Sequence, residues 1–302
     1  MIPTNNKHTV LYFLLFISIL SCGKKKAENN IEHQNVSKTQ TPSLELIWET
    51  DSILSTCESV LFDKLSKTIY VTNINNGPWE KDNNGFISTM DETGTVTNHK
   101  WLETGLSAPK GMGLYGNKLY VTDIDDLVEI DIEKQQILKK YTIAGNPQLN
   151  DVTVSTDGVV YFSGSNSNTV YKLEGELIGT VAKDSAVRLN GLLHQKEGVY
   201  FANSGAHNFG ILDEDTGVFK VLTHGVGHGD GIVRIENGDF IVSSWQGEVF
   251  YINSKDWSKT LLLDTREQNI NSADIEYIES TQTLLVPTFF HNRVMAYKLN
   301  FK

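Results

Sequence analysis

Four polar residues, a glutamate, two asparagines and an aspartate, have types and spacing suited to metal binding. Asn150, Asn190 and Asp230 follow one another at intervals of 40 residues, and each lies eight residues before a glycine in a turn dipeptide. Glu58 lies eight residues before Ser66, in a similar turn. If these side chains converge, their two carboxylates and two amide oxygens suit a hard divalent cation such as Ca²⁺, which takes about six to eight oxygen ligands.

Turn preference offers a second explanation for this pattern. Asn and Asp are favoured in turns that begin strands, although this explains Glu58 and the identical offsets poorly. The equivalent position in the second repeat is Lys110, and in the sixth it falls near Ala273 and Asp274. We interpret Lys110 either as a substrate-binding positive charge or as a solvated lysine at the rim.

Short hydrophobic runs that recur about every 40 residues must position these side chains. The runs are rich in Val, Ile, Tyr and Phe, are bounded by Gly, Asn and Asp, and therefore predict strands. Six of them lie at residues 69–72, 119–122, 160–163, 199–202, 240–243 and 284–287. A repeat of this size with three or four strands is typical of one propeller blade. The sequence thus predicts an all-β, six-bladed β-propeller over residues 44–302, whereas a β-sandwich would leave the regular spacing unexplained.

A further strand is expected over residues 44–48, where hydrophobic and polar residues alternate. Pairing of this strand with the last blade would close the ring and leave no exposed sheet edge.

The short motifs around the four polar residues resemble those of the superfamily of gluconolactonase, regucalcin and luciferin-regenerating enzyme. The resemblance is carried by Glu58-Ser59-Val60-Leu61-Phe62, Asn150-Asp151, Asn190-Gly191 and Asp230-Gly231-Ile232. It implies that Glu58, Asn190 and Asp230 bind a divalent metal, usually Ca²⁺, and that Asn150 is a further ligand or orients the substrate. It also implies that Asp230 is the general base for a water that attacks a lactone carbonyl.

One residue departs from the pattern of this superfamily. Sugar-lactonase members commonly carry an arginine two residues before the Asn-Asp pair, where this chain has Gln148. The difference weakens the case for an aldonolactone substrate. Two classes of function therefore stay open: a metal-dependent hydrolase of a lactone or related ester, and a non-catalytic propeller that binds a partner or small ligand around a structural ion.

Three other features concern the same channel mouth. His228, two residues before Asp230, is a candidate substrate-binding residue or acid-base group, or it only shapes the pocket. Cys57 is interpreted as a buried apolar residue, since no histidine partner for a nucleophile is identifiable. The insertion at residues 73–85 forms either a lid or a solvated loop, and Trp79 and Trp245 would offer apolar walls to a ligand.

The start of the chain is predicted to be a targeting segment. Lys7 precedes an apolar stretch at residues 10–20, which is shorter than the roughly 20 residues that a membrane-spanning helix needs. Residues 1–21 are therefore predicted to be a signal peptide. The motif Ile19-Leu20-Ser21-Cys22-Gly23 resembles a bacterial lipobox, so Cys22 is the predicted lipid-attachment site, and an ordinary secretory signal is the alternative. Polar residues 22–43 would form a flexible tether to the membrane, with the propeller facing the periplasm or the cell surface.

Composition narrows the possible partners. The formal charge is −11, with 26 Lys plus Arg against 37 Asp plus Glu, which argues against a nucleic-acid partner because phosphate binding needs clustered basic groups. Two cysteines provide neither a disulfide scaffold nor a Cys₄ zinc site. We expect a monomer that acts on a small molecule.

Overall fold

Strands make up nearly all of the regular structure in residues 41–183 and 186–302, which are the residues that this computed structural model describes. The predicted signal peptide (1–21), the lipidation site Cys22 and nearly all of the tether (22–43) lie outside the described residues. Two 3₁₀ helices, Arg266–Gln268 and Glu279–Thr281, are the helical segments in the described part of the chain. No helix there is long and apolar enough to cross a membrane.

Twenty-four strands form six antiparallel sheets of four strands each. The chain begins with β1 (Pro42–Glu49). Blade 1 contains β2 (Cys57–Asp63), β3 (Thr68–Asn73), β4 (Gly85–Met90) and β5 (Val96–Leu106). Blade 2 contains β6 (Pro109–Tyr115), β7 (Lys118–Asp123), β8 (Asp126–Asp131) and β9 (Gln136–Thr142). Blade 3 contains β10 (Leu149–Val154), β11 (Val160–Gly164), β12 (Thr169–Glu174) and β13 (Leu177–Lys183).

The remaining blades follow in chain order. Blade 4 contains β14 (Leu189–Gln195), β15 (Gly198–Asn203), β16 (Asn208–Asp213) and β17 (Val218–His224). Blade 5 contains β18 (Gly229–Arg234), β19 (Phe240–Ser244), β20 (Glu248–Ile252) and β21 (Lys259–Asp264). Blade 6 contains β22 (Glu276–Ile278), β23 (Thr283–Pro287) and β24 (Val294–Phe301), together with β1. The predicted six-bladed β-propeller is confirmed.

The first strand of the chain closes the ring. β1 pairs antiparallel with β24, from Pro42 opposite Phe301 to Glu49 opposite Met295. It thereby becomes the outermost strand of blade 6, whose inner three strands come from the C-terminal end. The predicted pairing of residues 44–48 with the last blade is confirmed.

Hydrophobic clusters lie between neighbouring blades and hold the ring together. Tyr200 and Phe209 of blade 4 pack against Phe240 of blade 5, with ring centroids 4.5 and 5.3 Å from it. Phe209 and Phe240 are fully buried. Truncation of such a side chain to alanine typically costs about 3 to 5 kcal/mol, so these contacts fix the blades, and with them the residues at the central axis.

A β-bulge recurs at the start of five inner strands. In β2, for example, Cys57 pairs with Asn73 and Val60 with Val71, so the inner strand has one extra residue. The same shift occurs in β6, β10, β14 and β18. Bulges re-aim the side chains of the residues they contain. The second residue of each of these strands lies in the bulge, and these five are Glu58, Lys110, Asn150, Asn190 and Asp230, called the ring residues below.

Candidate functional site

The five ring residues line one cavity of about 430 Å³ at one mouth of the central channel. The rest of its lining comes from Pro78, Trp79, Arg188, Ser204, His228, Trp245, Gln246, Phe289 and Phe290. The opposite mouth opens into a separate cavity of about 460 Å³. The structure therefore brings together Glu58, Asn150, Asn190 and Asp230, as their spacing predicted, and adds Lys110 and His228 to the same cavity.

Three of the predicted ligand oxygens are buried without a hydrogen-bond partner in the described residues. They are Glu58 Oε2, Asn190 Oδ1 and Asp230 Oδ1. The fourth ligand candidate, Asn150, donates its amide nitrogen to Ser165 Oγ at 3.3 Å, which fixes the orientation of its side chain. A buried polar atom without a partner costs about 1 to 3 kcal/mol, so these three oxygens are available to a water or a ligand that enters the cavity.

Hydroxyl side chains on the neighbouring strand hold the bulges open. Thr72 Oγ1 accepts the backbone N–H of Ser59, next to Glu58, at 2.9 Å. Ser243 Oγ likewise accepts the backbone N–H of Gly231, next to Asp230, at 2.8 Å. These hydroxyls satisfy donors that the interrupted strand ladder leaves free, and so keep the adjacent ring residues aimed at the axis.

Buried negative charge dominates the channel. Burial and the charge of Asp230 raise the pKa of Glu58 well above its usual range. Burial and the charge of Asp274 do the same to the pKa values of Asp230 and Asp151. Burial raises the pKa of Asp274 itself to about 7, against a hydrogen bond from Ser59 Oγ at 2.6 Å. A divalent cation would stabilise the ionised form of these carboxyl groups.

Lys110 is not a solvated rim lysine, because its residue is only 2% exposed. Its ammonium donates to Pro78 O at 2.7 Å and Ala108 O at 2.8 Å, and lies 4.1 Å from the centroid of the Trp79 ring. Burial lowers the pKa of Lys110 to about 8, and the charge of Glu58 opposes this shift. Lys110 therefore fastens the Trp79 loop to blade 2.

The insertion at residues 73–85 covers part of the mouth. Pro78 and Trp79 line the cavity, and Trp79 packs on a buried cluster that includes Ile74 and Phe289. Lys81 Nζ lies 2.6 Å from Asp125 Oδ2 of blade 2. Of the two interpretations of this segment, the structure favours the lid, although residues 80–83 at its tip are exposed.

His228 lies at the edge of the cavity and packs against a second histidine. The ring centroids of His207 and His228 are 4.6 Å apart, and His207 Nδ1 lies 2.8 Å from Gly227 O. Burial, followed by the charge of His207, lowers the pKa of His228. A neutral imidazole can donate or accept one hydrogen bond, so His228 stays a candidate for contacting a ligand.

Cys57 is a buried apolar residue, as its sequence context predicted. It is fully buried, and its Sγ donates to Arg293 O at 3.1 Å. Burial raises the pKa of the thiol to about 12. A thiol held in its neutral form is a poor nucleophile, and Cys57 does not line the cavity.

Gly191 follows Asn190 in the bulge of β14 and allows blades 4 and 5 to approach each other. A Cβ at this position would collide with the carbonyl oxygen of Asp230. We expect Gly191→Ala to destabilise the fold by about 1 to 3 kcal/mol and to weaken cation binding, because the backbone of Asp230 must move. In the control Gly179→Ala, the new Cβ would lie 3.6 Å from Lys172 Cγ, and the change should stay within about 0.5 kcal/mol. Equal urea midpoints for the two variants would contradict this prediction.

Glu58, Asp151, Asp230 and Asp274 are four of the buried carboxyl groups, and they predict an unusual dependence of stability on pH. Their pKa values are raised in the folded protein, whereas unfolded Asp and Glu titrate near pH 4. In chelator, their protonation therefore favours folding below about pH 4, and this stabilisation is lost as the pH rises through the folded pKa values. We expect the Tm in chelator to fall between about pH 5 and pH 8, and saturating calcium to remove the part of the fall that comes from Glu58 and Asp230. A Tm in chelator that rises over this interval would refute the prediction.

Sequence reasoning missed five contributors to the cavity: Arg188, Ser204, Gln246, Phe289 and Phe290. Arg188 lies two residues before Asn190, as Gln148 does before Asn150, so its offset was visible in the sequence. Phe289 and Phe290 follow β23 in a segment without hydrophobic periodicity, and only the fold places them beside Trp245. The described residues contain no group of three or more His, Cys, Asp or Glu placed as metal ligands, because two of the predicted ligands are amides.

Comparisons with known proteins show which fold this chain shares with them. A scan of the sequence against protein-family models and a search of curated proteins found no match. Among solved structures, a gluconolactonase-like protein matches with TM-score 0.64 and 13% identity, over 86% of this chain and 93% of that chain. A streptogramin B lyase matches with TM-score 0.63 and 10% identity, over 86% and 98%. A luciferin-regenerating enzyme matches with TM-score 0.62 and 13% identity, over 86% and 95%. The chain thus shares the β-propeller fold of these proteins.

Proposed function

We propose that this protein is a hydrolase of a lactone or related ester that depends on a divalent cation, most suitably Ca²⁺, bound by the oxygens of Glu58, Asn150, Asn190 and Asp230. The observation that supports this best is the set of three buried oxygens without partners, on Glu58, Asn190 and Asp230, in one cavity at the axis. Some solved structures with a similar fold are enzymes, which agrees with the proposal. This similarity is not its main support, because one fold hosts many functions.

The donor set fits a hard cation. Carboxylate and amide oxygens are the ligands that Ca²⁺ and Mg²⁺ prefer, and the cavity presents no thiolate. A cation would partner the three buried oxygens and offset the repulsion between Glu58 and Asp230, which together with burial raises the pKa of Glu58. Ca²⁺ fits better than Mg²⁺ because it tolerates irregular geometry from ligands on separate strands.

The chain's own residues would supply the remaining chemistry. A bound cation would act as a Lewis acid that polarises the scissile carbonyl. The carboxylate of Asp230 would accept a proton from the attacking water. As the water oxygen bonds to the carbonyl carbon and the bond to the ester oxygen breaks, this proton passes to the leaving alkoxide. Asn150, held by Ser165, would orient the substrate carbonyl.

The size of the cavity fits a small substrate. Its volume of about 430 Å³ lies within the range of about 300 to 1,000 Å³ that is usual for small-molecule sites. Trp79, Trp245 and Phe289 give it an apolar wall opposite the polar ring. This mixture suits an ester or lactone, which combines one polar carbonyl with an apolar body.

Hydrolase assays test the proposed function. The substrates are a panel of sugar lactones, aliphatic lactones and aryl esters, each assayed with chelator and with added Ca²⁺. We expect turnover of at least one class in Ca²⁺ and its loss in chelator. Absence of cation-dependent turnover across the panel, in protein that binds Ca²⁺, would refute the hydrolase and favour the alternative, a propeller that binds a ligand around a structural ion.

A further inference from the structure

The residues two positions before the ring residues form a second layer of equivalent positions in the blades. Thr56, Gln148 and Arg188 occupy this position in blades 1, 3 and 4, and all three have a left-handed backbone, with φ of 52°, 51° and 52°. The shared conformation shows that they are equivalent in the fold. The complete layer comprises Thr56, Ala108, Gln148, Arg188, His228 and Asn271, of which Arg188 and His228 line the cavity.

Arg188 is the member of this layer that brings a permanent positive charge to the cavity. Its backbone N–H donates to Asn168 Oδ1 at 2.8 Å, which anchors the main chain. Its residue is exposed, and within residues 41–183 and 186–302 its guanidinium forms no ion pair or hydrogen bond. The other cation in the cavity, Lys110, already donates to two backbone carbonyls.

Aromatic side chains also line this cavity. The ring of Trp245 lies 5.4 Å from that of Phe289 and 6.0 Å from that of Phe290, measured between centroids. Phe290 is 59% exposed, so a large apolar face is open to a ligand at the mouth. The cavity thus contains both an arginine and an aromatic surface.

We propose that the substrate is a carboxylate-bearing ester or lactone with an apolar, preferably aromatic, body, and that Arg188 determines this specificity by binding the carboxylate. The planar guanidinium presents parallel N–H donors that match the two oxygens of a carboxylate. The apolar body packs on the Trp245 and Phe290 rings, which leaves the reacting carbonyl over the ring residues. That this ligand is a substrate rests on the proposed hydrolase function, whereas recognition of its carboxylate does not.

A binding experiment without turnover tests this specificity. The probes are 4-phenylbutyrate and its neutral amide, titrated in saturating Ca²⁺ against the fluorescence of the protein, since Trp79 and Trp245 line the cavity. We expect the wild type to bind the acid at least about tenfold more tightly than the amide, because the guanidinium donates charge-assisted hydrogen bonds to a carboxylate. Arg188→Gln should reduce this ratio to near one and leave the affinity for the amide unchanged.

Two controls keep the result interpretable. Arg234→Gln removes an arginine at the opposite mouth and should keep the preference for the acid. The Tm of Arg188→Gln should match that of the wild type, because an exposed side chain contributes little to the fold. An unchanged ratio in Arg188→Gln, or no binding of either probe to the wild type, would overturn the inference. If Arg188→Gln loses the preference for the acid but the wild type turns over no ester, only the proposed hydrolase function would be overturned.

Discussion

Replacing Glu58 by glutamine is expected to change the thermal stability in opposite directions with and without calcium. In chelator, the variant should melt at or above the wild-type Tm, because the substitution removes a buried carboxyl group whose ionisation is opposed by burial and by Asp230. In calcium, it should melt below the wild type, because a ligand is lost.

The size of this effect follows from mass action. Ligand at about 100 times its Kd stabilises the folded state by about 2.7 kcal/mol, which corresponds to a Tm shift of roughly 5 to 10 °C for a domain of this size. The wild type should show this shift between chelator and calcium, and Glu58→Gln should lose it. Differential scanning calorimetry of the wild type and of Glu58→Gln, each in chelator and in calcium, measures the four Tm values.

Glu276→Gln is the matched control for this substitution. Glu276 also lies on an inner strand, and burial raises its pKa, but it accepts the backbone N–H of Phe62 at 3.1 Å and faces the opposite mouth. Its calcium-dependent shift should equal that of the wild type. An undiminished shift in Glu58→Gln would show that the cation does not bind at the ring.

Asp230→Asn is expected to lower kcat/KM for the best substrate of the panel by at least about 100-fold, because a general base contributes about 10²- to 10⁴-fold. The substitution preserves the size of the side chain and an oxygen ligand, so its main effect should be on kcat. Steady-state kinetics in saturating Ca²⁺ tests this.

Stability measurements separate the chemical effect of Asp230→Asn from unfolding. Asp230 is 1% exposed and its pKa is raised, so replacing it by the neutral asparagine should cost little stability in chelator. Retention of more than about one tenth of wild-type kcat in a folded, calcium-saturated variant would exclude Asp230 as the general base.

The sequence predicts the blades and the positions of the ring residues because both depend on local patterns. Hydrophobic runs and turn glycines repeat with the blade, so aligning one blade on the next places Asn150, Asn190 and Asp230 at the same strand position. The closing strand β1 was predictable for a related reason, since an unpaired edge in the last blade would be unfavourable.

The rest of the site depends on contacts between distant segments. The burial of Lys110 requires the carbonyl of Pro78, 32 residues earlier, which no periodicity reveals. The packing of Trp245 on Phe289 and Phe290 likewise joins two blades. Arg188 lies between these cases, because the offset that identified Gln148 in blade 3 also identifies Arg188 when it is applied to blade 4.

Titration of Ca²⁺ into chelator-treated protein by isothermal calorimetry tests the central claim most directly. The ring of oxygens predicts a saturable site that is present in the wild type and in Glu276→Gln and is lost in Glu58→Gln. Absence of calcium binding to the wild type, or equal affinity in the wild type and Glu58→Gln, would contradict a cation centre at the propeller axis.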